Sequence, residues 1–149
     1  MNYLPPIFLT ITAITGIVGL LSVFWIFCNK EHAPSITLAL VFIFPSTLLT
    51  ILFYSLALHM HRSLNGWPAV IGNEGFPKAL DLHAQITMNY FSAILLINII
   101  FLPVALLICG SFRQLRKFIL CLGLFAMASS ASYLIISIAP SEFLNWWWD

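Results

Sequence analysis

The chain has 149 residues, of which 61% are hydrophobic and 7% are charged, and its formal net charge is +1. An average soluble domain is about 25% charged, so this composition excludes an ordinary soluble fold, whose exterior needs more polar residues. A nearly neutral chain without an extended basic patch also gives no basis for nucleic-acid binding. The composition instead predicts an integral membrane protein.

Four long apolar runs predict four membrane spans. Runs of at least 18 apolar residues are typical of transmembrane helices, and every Lys, Arg, Asp and Glu lies outside these runs. The runs are Leu4–Cys28, Ile36–Leu58, Ile86–Cys109 and Phe118–Ala139. Membrane β-strands are excluded because the runs are apolar on every face. We therefore expect one all-α domain, 1–149, an antiparallel bundle of four transmembrane helices near 4–28, 35–60, 78–109 and 116–139.

The cations predict the orientation of this bundle. Four spans place both termini and the outer connection, about 61–77, on one side of the membrane, together with Arg62 and Lys78. The two short connections carry Lys30, Arg113, Arg116 and Lys117. The positive-inside rule then puts the short connections in the cytoplasm and both termini on the non-cytoplasmic side. Without an organellar targeting pattern, we expect a plasma membrane or a bacterial inner membrane.

The first span carries a stripe of small and hydroxyl-bearing residues. They recur at steps of three and four, with Gly16 beside them, and are Thr12, Thr15, Gly19 and Ser22. Lipid gives helices no hydrophobic reason to associate, so close packing of small residues supplies much of the contact. The stripe is therefore predicted to be the seam of the bundle or a contact with another subunit.

Prolines interrupt the second and third spans. Pro45 lies near the middle of the second span and Pro103 lies in the third. A proline inside a helix removes one hydrogen bond and predicts a kink. Neighbouring hydroxyls such as Ser46 and Thr50 can satisfy the freed backbone groups.

The third span has the most polar side chains. Asp81, Gln85, Asn89 and Ser92 follow one another at steps of four, four and three, which places them on one face. Polar side chains at membrane depth normally face the bundle interior or a cavity, so we expect this polar stripe to point inward. On a count of about 100° per residue, Asn98 lies on the opposite side of the helix and is expected to meet a different neighbour.

The last span and the tail supply two further predictions. A second face of small and hydroxyl-bearing residues, suited to packing against the first or third span, consists of Gly123, Ala126, Ser130, Tyr133 and Ser137. After it come three consecutive tryptophans, 146–148. Because tryptophan rings favour the headgroup layer, these are predicted to form an interfacial anchor, and insertion into a partner subunit is the alternative.

His59 and His83 are the candidate cofactor ligands. They lie near the outer ends of the second and third spans, which a helical hairpin would bring side by side. Two histidines from neighbouring helices are the axial ligands that a b-type haem requires. His61 is two residues from His59, about 200° round the helix, so those two cannot chelate one metal ion. No metal site is predicted, and no catalytic motif such as a nucleophile elbow or H-E-x-x-H is present.

Three hypotheses of function follow. The first is a small non-catalytic protein that serves as an accessory or structural subunit of a larger membrane complex. It is favoured because the chain has packing faces, short loops and no reactive motif. The second is a haem-binding electron-transfer or quinone-handling protein that uses His59 and His83. The third is a small transporter built around the stripe from Asp81 to Ser92. The expected partners are the lipid bilayer and other membrane subunits.

Overall fold

The computed structural model describes residues 6–28, 35–68, 72 and 75–148. These residues form α-helices and no β-strand: α1 (Pro6–Cys28), α2 (Ile36–Ser63), α3 (Lys78–Leu96), α4 (Leu102–Ser111), α5 (Lys117–Ser137) and α6 (Ser141–Trp148). A π-helical turn, Ile97–Phe101, joins α3 to α4, and a 3-10 turn, Arg113–Leu115, precedes α5. The predicted all-α fold is confirmed. Leu4, at the start of the first predicted span, and Lys30 lie outside the described residues.

Three helical segments in the described part of the chain are long and apolar enough to cross a membrane. They are Ile36–Ser63, Lys78–Ser111 and Lys117–Ser137. Even the shortest, with 21 residues, covers about 30 Å, the thickness of a hydrocarbon core. The apolar segment described within α1, Phe8–Ser22, is shorter. The protein is thus a helical membrane protein, while its fourth crossing and its orientation stay predictions.

Helix α5 lies at the centre, in contact with α1, α2 and the α3–α4 segment. A hydrogen bond from Ser130 to the Thr12 carbonyl shows where α1 meets it, and Gly123 meets Ser22 further along, so these two helices are antiparallel. Two ends of the bundle can be defined. The tail end holds α6, the end of α2 and the start of α3, and the basic end holds residues 111–117.

The seam between α1 and α5 is made of small residues, as predicted. A Cβ atom added to Gly19 would lie 2.9 Å from the backbone nitrogen of Met127. One added to Gly16 would lie 3.0 Å from Ser130 Oγ, and one added to Gly123 would overlap the side chain of Ser22. The two backbones can approach this closely only because the side chains between them are missing or small. The stripe on the first span is therefore an internal contact.

The two prolines have different effects. Helix α2 continues through Pro45, whose carbonyl accepts a 3.0 Å hydrogen bond from Tyr90 Oη. Before Pro103 the helix instead widens into the π turn, where the Leu102 amide donates to the Ile97 carbonyl five residues earlier. A proline ring clashes with the carbonyl four residues before it, and a wider turn provides room for that ring. The predicted disturbance at Pro103 is therefore local widening.

Helix α6 folds back across the tail end, and its tryptophans are less accessible than an interfacial anchor requires. Trp146 and Trp147 are only 5% and 8% exposed. The ring of Trp147 lies 5.0 Å from that of Phe53, and Trp146 Nε1 donates a 3.0 Å hydrogen bond to the Gly72 carbonyl. The rings are buried because aromatic partners and a backbone acceptor meet them inside the protein, where edge-to-face contacts are favourable. The tail thus closes one end of the bundle.

Candidate functional site

The polar stripe of α3 faces outward, contrary to the prediction. Gln85, Asn89 and Ser92 are exposed, and Asp81 is half-buried and accepts a 2.9 Å hydrogen bond from Gln85 Nε2. The inward face of α3 is taken by other side chains, which pack into the core and include Leu80, Ala84, Thr87, Phe91 and Ile94. The prediction was wrong because the apolar stripe of α3 is at least as regular as its polar stripe. Lipid gives an apolar face no hydrophobic reason to avoid it, so packing against α2 decides which face of α3 turns inward.

Asn89 and Ser92 differ from Thr10 and Thr47, two exposed hydroxyl residues of the first and second spans. Thr10 and Thr47 are also exposed, but each returns its hydroxyl to a carbonyl four residues earlier in its own helix. Within the described part of the chain, neither Asn89 nor Ser92 makes a side-chain hydrogen bond. They lie about 5 Å and 9 Å inside the apolar run that starts at Ile86, at about 1.5 Å per residue. These two side chains therefore present unused hydrogen-bonding groups to the membrane.

The structure brings His59 and His83 together, as the hairpin geometry suggested. The two Nδ1 atoms are 3.0 Å apart, and the ring centroids are 5.3 Å apart. His83 Nε2 is also 3.1 Å from Ser55 Oγ. A direct Nδ1 to Nδ1 hydrogen bond needs one ring as donor and the other as a neutral acceptor. The pair thus links α2 to α3 at the tail end. His61 instead packs its ring against Trp67, with centroids 4.9 Å apart.

This arrangement does not fit a haem between the two histidines. An imidazole–metal bond is about 2 Å long, so axial nitrogens on opposite faces of a haem lie about 4 Å apart with the macrocycle between them. Here the two Nδ1 atoms are in hydrogen-bonding contact, and Ser55 occupies the other nitrogen of His83. Among the described residues, no group of three or more His, Cys, Asp and Glu side chains could hold a metal ion.

A buried polar cluster joins α2, α5 and the π turn. Asn98 is 4% exposed, and its Nδ2 lies 3.2 Å from both Ser129 Oγ and Tyr133 Oη. Ser129 Oγ is 2.9 Å from Ser46 Oγ on α2. Asn98 thus meets a different neighbour from Asn89, as predicted. Sequence reasoning did not single out Ser129, although its spacing of four residues from Tyr133 places both on one face of α5.

The amide of Asn98 also stabilises the π turn. Nδ2 donates a 2.8 Å hydrogen bond to the Ile94 carbonyl, one turn earlier. This bond fixes which atom of the amide is nitrogen, because an oxygen at that position would face another oxygen. The Oδ1 atom is buried and has no hydrogen-bond partner among the described atoms. The Asn98 side chain therefore connects the π turn to both α3 and α5.

These features define a helical membrane protein with a closed tail end, a buried polar cluster and one polar face turned outward. Comparison of the chain with protein-family models, with curated proteins and with solved structures finds no match.

Proposed function

We propose that the protein is a non-catalytic subunit of a larger membrane complex and that the outward stripe of α3 contacts another membrane protein. The supporting observation is that Asn89 and Ser92 are exposed within an apolar run and make no side-chain hydrogen bond in the described part of the chain. Polar groups at membrane depth normally face protein or a cavity. A neighbouring transmembrane helix with its own polar side chain would satisfy them.

The stripe fits a role in partner choice and register. Hydrogen bonds between membrane helices contribute about 0.6 kcal/mol on average and up to about 1.7 kcal/mol. Two or three of them are too weak to hold a complex together alone. They can, however, distinguish a polar partner face from lipid, while the apolar side chains around them provide the packing.

The proposed topology has α1 as a fourth crossing, with both termini on the non-cytoplasmic side of a plasma or bacterial inner membrane. Support for the crossing comes from α1 being a helix of 23 residues packed along α5. Support for the orientation comes from Arg113, Arg116 and Lys117 at the basic end against Arg62 and Lys78 at the tail end. Labelling of single cysteines from each side of intact cells tests it. Residue 145 should react from outside and residue 114 from inside.

The subunit hypothesis is tested by purifying the protein in mild detergent from its native membrane and weighing the intact assembly. The expected result is a reproducible complex that contains at least one other membrane protein. A lone monomer, or a homodimer without another chain, would contradict the proposal.

The contact face is tested by site-specific photocrosslinking. A photoreactive phenylalanine derivative at position 89 or 92 should crosslink to the partner. Position 44 is the matched control, because Phe44 is 62% exposed. Its neighbour Pro45 accepts a hydrogen bond from Tyr90, the residue after Asn89, so positions 44 and 89 lie at a similar depth. Replacing Asn89 by Leu should lower partner recovery roughly threefold to tenfold without unfolding the protein. Equal crosslinking at 44 and 89 would exclude a specific α3 contact.

The haem and transport hypotheses have their own tests. The haem hypothesis requires a Soret absorption band that is lost in His59→Ala or His83→Ala, and a colourless pure protein would eliminate it. The transport hypothesis requires that Asp81→Asn abolish flux in reconstituted vesicles. The direct hydrogen bond between the two histidines and the outward position of the stripe favour the subunit hypothesis over both.

A further inference from the structure

We propose that the turn at the basic end, residues 111–117, binds the headgroup of an anionic phospholipid. The inference goes beyond the subunit hypothesis and does not depend on it, since it concerns the opposite end of the α3–α4 segment. It depends only on the protein lying in a membrane.

Three cations share one side of this turn. Arg116 and Lys117 follow Arg113 by three and four residues, and all three are exposed. The backbone is helical through them, with the Arg116 amide bonded to the Arg113 carbonyl and the Ile119 amide bonded to the Arg116 carbonyl. Residues three and four apart on a helical turn are neighbours. Three like charges on neighbouring positions repel one another unless an anion lies among them.

The described part of the protein supplies no such anion at this end. Its acidic residues, Asp81 and Glu142, lie in the first turns of α3 and α6, at the tail end. Lys117 Nζ lies over the ring of Phe118, 5.4 Å from its centroid, which is an aromatic contact and supplies no anionic group. The two arginines can each offer a planar pair of N–H donors, the geometry that suits a phosphate.

The surroundings of the cations also suit a lipid. A surface recess of about 450 Å³ is lined by five consecutive residues, Ser111, Phe112, Arg113, Gln114 and Leu115. Phe112 in this recess is 61% exposed, and Leu107, one turn before Ser111 in α4, is 72% exposed. A phospholipid at this position would place its phosphate among the arginines and its acyl chains along Phe112 and Leu107. Free inorganic phosphate would use only the polar half of the recess.

The difference in charge between the two ends gives the inference its specificity. Basic residues just beyond a span attract the anionic leaflet, each contributing about fivefold in affinity near the surface. Three of them give a preference on the order of a hundredfold for an anionic lipid over a zwitterionic one. At the tail end, Arg62 and Lys78 lie on different helices, and the acidic residues lie there as well.

The test uses the full-length protein in detergent with added phosphatidylglycerol or phosphatidylcholine, and native mass spectrometry to count the lipids that it retains. Wild-type protein should retain one phosphatidylglycerol much more strongly than phosphatidylcholine. The triple variant Arg113→Gln/Arg116→Gln/Lys117→Gln should lose most of this preference. The matched control, Arg62→Gln/Lys78→Gln, should keep it. Circular dichroism checks that each variant remains helical, and Arg116→Gln alone should give an intermediate loss.

Three results would overturn the proposal. Equal retention of the two lipids by the wild type would show that the recess has no preference for charge. Equal loss in the control variant would show that only the net charge of the protein matters. Displacement of the bound lipid by millimolar inorganic phosphate would identify a site for a soluble anion.

Discussion

The glycines of the α1–α5 seam allow the packing of the bundle to be tested by the smallest possible substitution. In Gly19→Ala, the new Cβ would lie 2.9 Å from the backbone nitrogen of Met127 and 3.1 Å from its Cα. Ordinary van der Waals contact begins near 3.4 Å, so the two helices must separate by about 0.5 Å at this level. Overpacking of this kind costs about 1–3 kcal/mol. We therefore expect Gly19→Ala to lower the free energy of unfolding by that amount.

Gly123→Ala should be equally destabilising but open to rescue. Its added Cβ would meet the side chain of Ser22, with Oγ at 2.7 Å, whereas the Ser22 Cα is 3.5 Å away. The double variant Gly123→Ala/Ser22→Gly removes the clashing atoms and should recover most of the lost stability. Met127→Ala should not rescue Gly19→Ala in the same way, because the clash with the Met127 backbone would remain.

The measurement is unfolding in mixed detergent micelles, followed by loss of helical circular dichroism. Gly110→Ala is the control, since nothing lies within 4 Å of the atom that it adds. It should be neutral or stabilising by up to about 1 kcal/mol, because alanine favours a helix over glycine. If Gly19→Ala were as stable as Gly110→Ala, or if Ser22→Gly gave no rescue, α1 and α5 would not pack as the structure has them.

Three further substitutions test the buried cluster, the tail and the histidine pair by the same unfolding measurement. Asn98→Ala removes three donor contacts around the π turn and should cost roughly 1–3 kcal/mol; a neutral result would mean that the cluster does not hold the turn. Trp146→Phe keeps an aromatic ring but loses the bond to the Gly72 carbonyl and part of the buried indole, and should cost at least about 0.5–1.5 kcal/mol; unchanged stability and unchanged proteolysis of the tail would contradict that bond. His83→Ala should cost roughly 1 kcal/mol or more by breaking two side-chain hydrogen bonds between α2 and α3; retention of full stability would show that the pair does not join the helices.

The helical character and the small-residue seam could be predicted from the sequence for simple physical reasons. Apolar runs of this length have few structures available to them in lipid. A stripe such as Gly16, Gly19 and Ser22 lets helices approach whichever neighbour meets it. The sequence did not identify that neighbour, because the matching stripe on the last span suited the first and third spans equally.

Which face of the third helix points into the bundle could not be predicted in the same way. Its polar stripe and its apolar stripe lie on opposite faces, and either could have faced inward in a membrane protein. The choice is made by the whole bundle: Phe91 and Ile94 pack into the core, and Asn98, four residues after Ile94, joins Ser129 on the same inward face.

The tail was mispredicted because tryptophan has two favourable environments. The headgroup layer suits its amphipathic ring, but so does a protein pocket that offers aromatic neighbours and one acceptor for the N–H group. Here Phe53 packs against the ring of Trp147, and the Gly72 carbonyl accepts the N–H group of Trp146. Only the fold brings them to the tail, as they are separated from Trp146 by more than seventy residues.

The use of the α1 stripe inside the bundle bears directly on where a partner can bind. The sequence alone allowed that stripe to be either the seam of the bundle or a contact with another subunit. Gly16, Gly19 and Ser22 are now accounted for by α5, so the stripe has no free small-residue surface to offer. The outward face of α3 is different, because Asn89 and Ser92 have no internal role in the described residues. We therefore propose α3 as the face that a partner would recognise by polar contacts within the membrane.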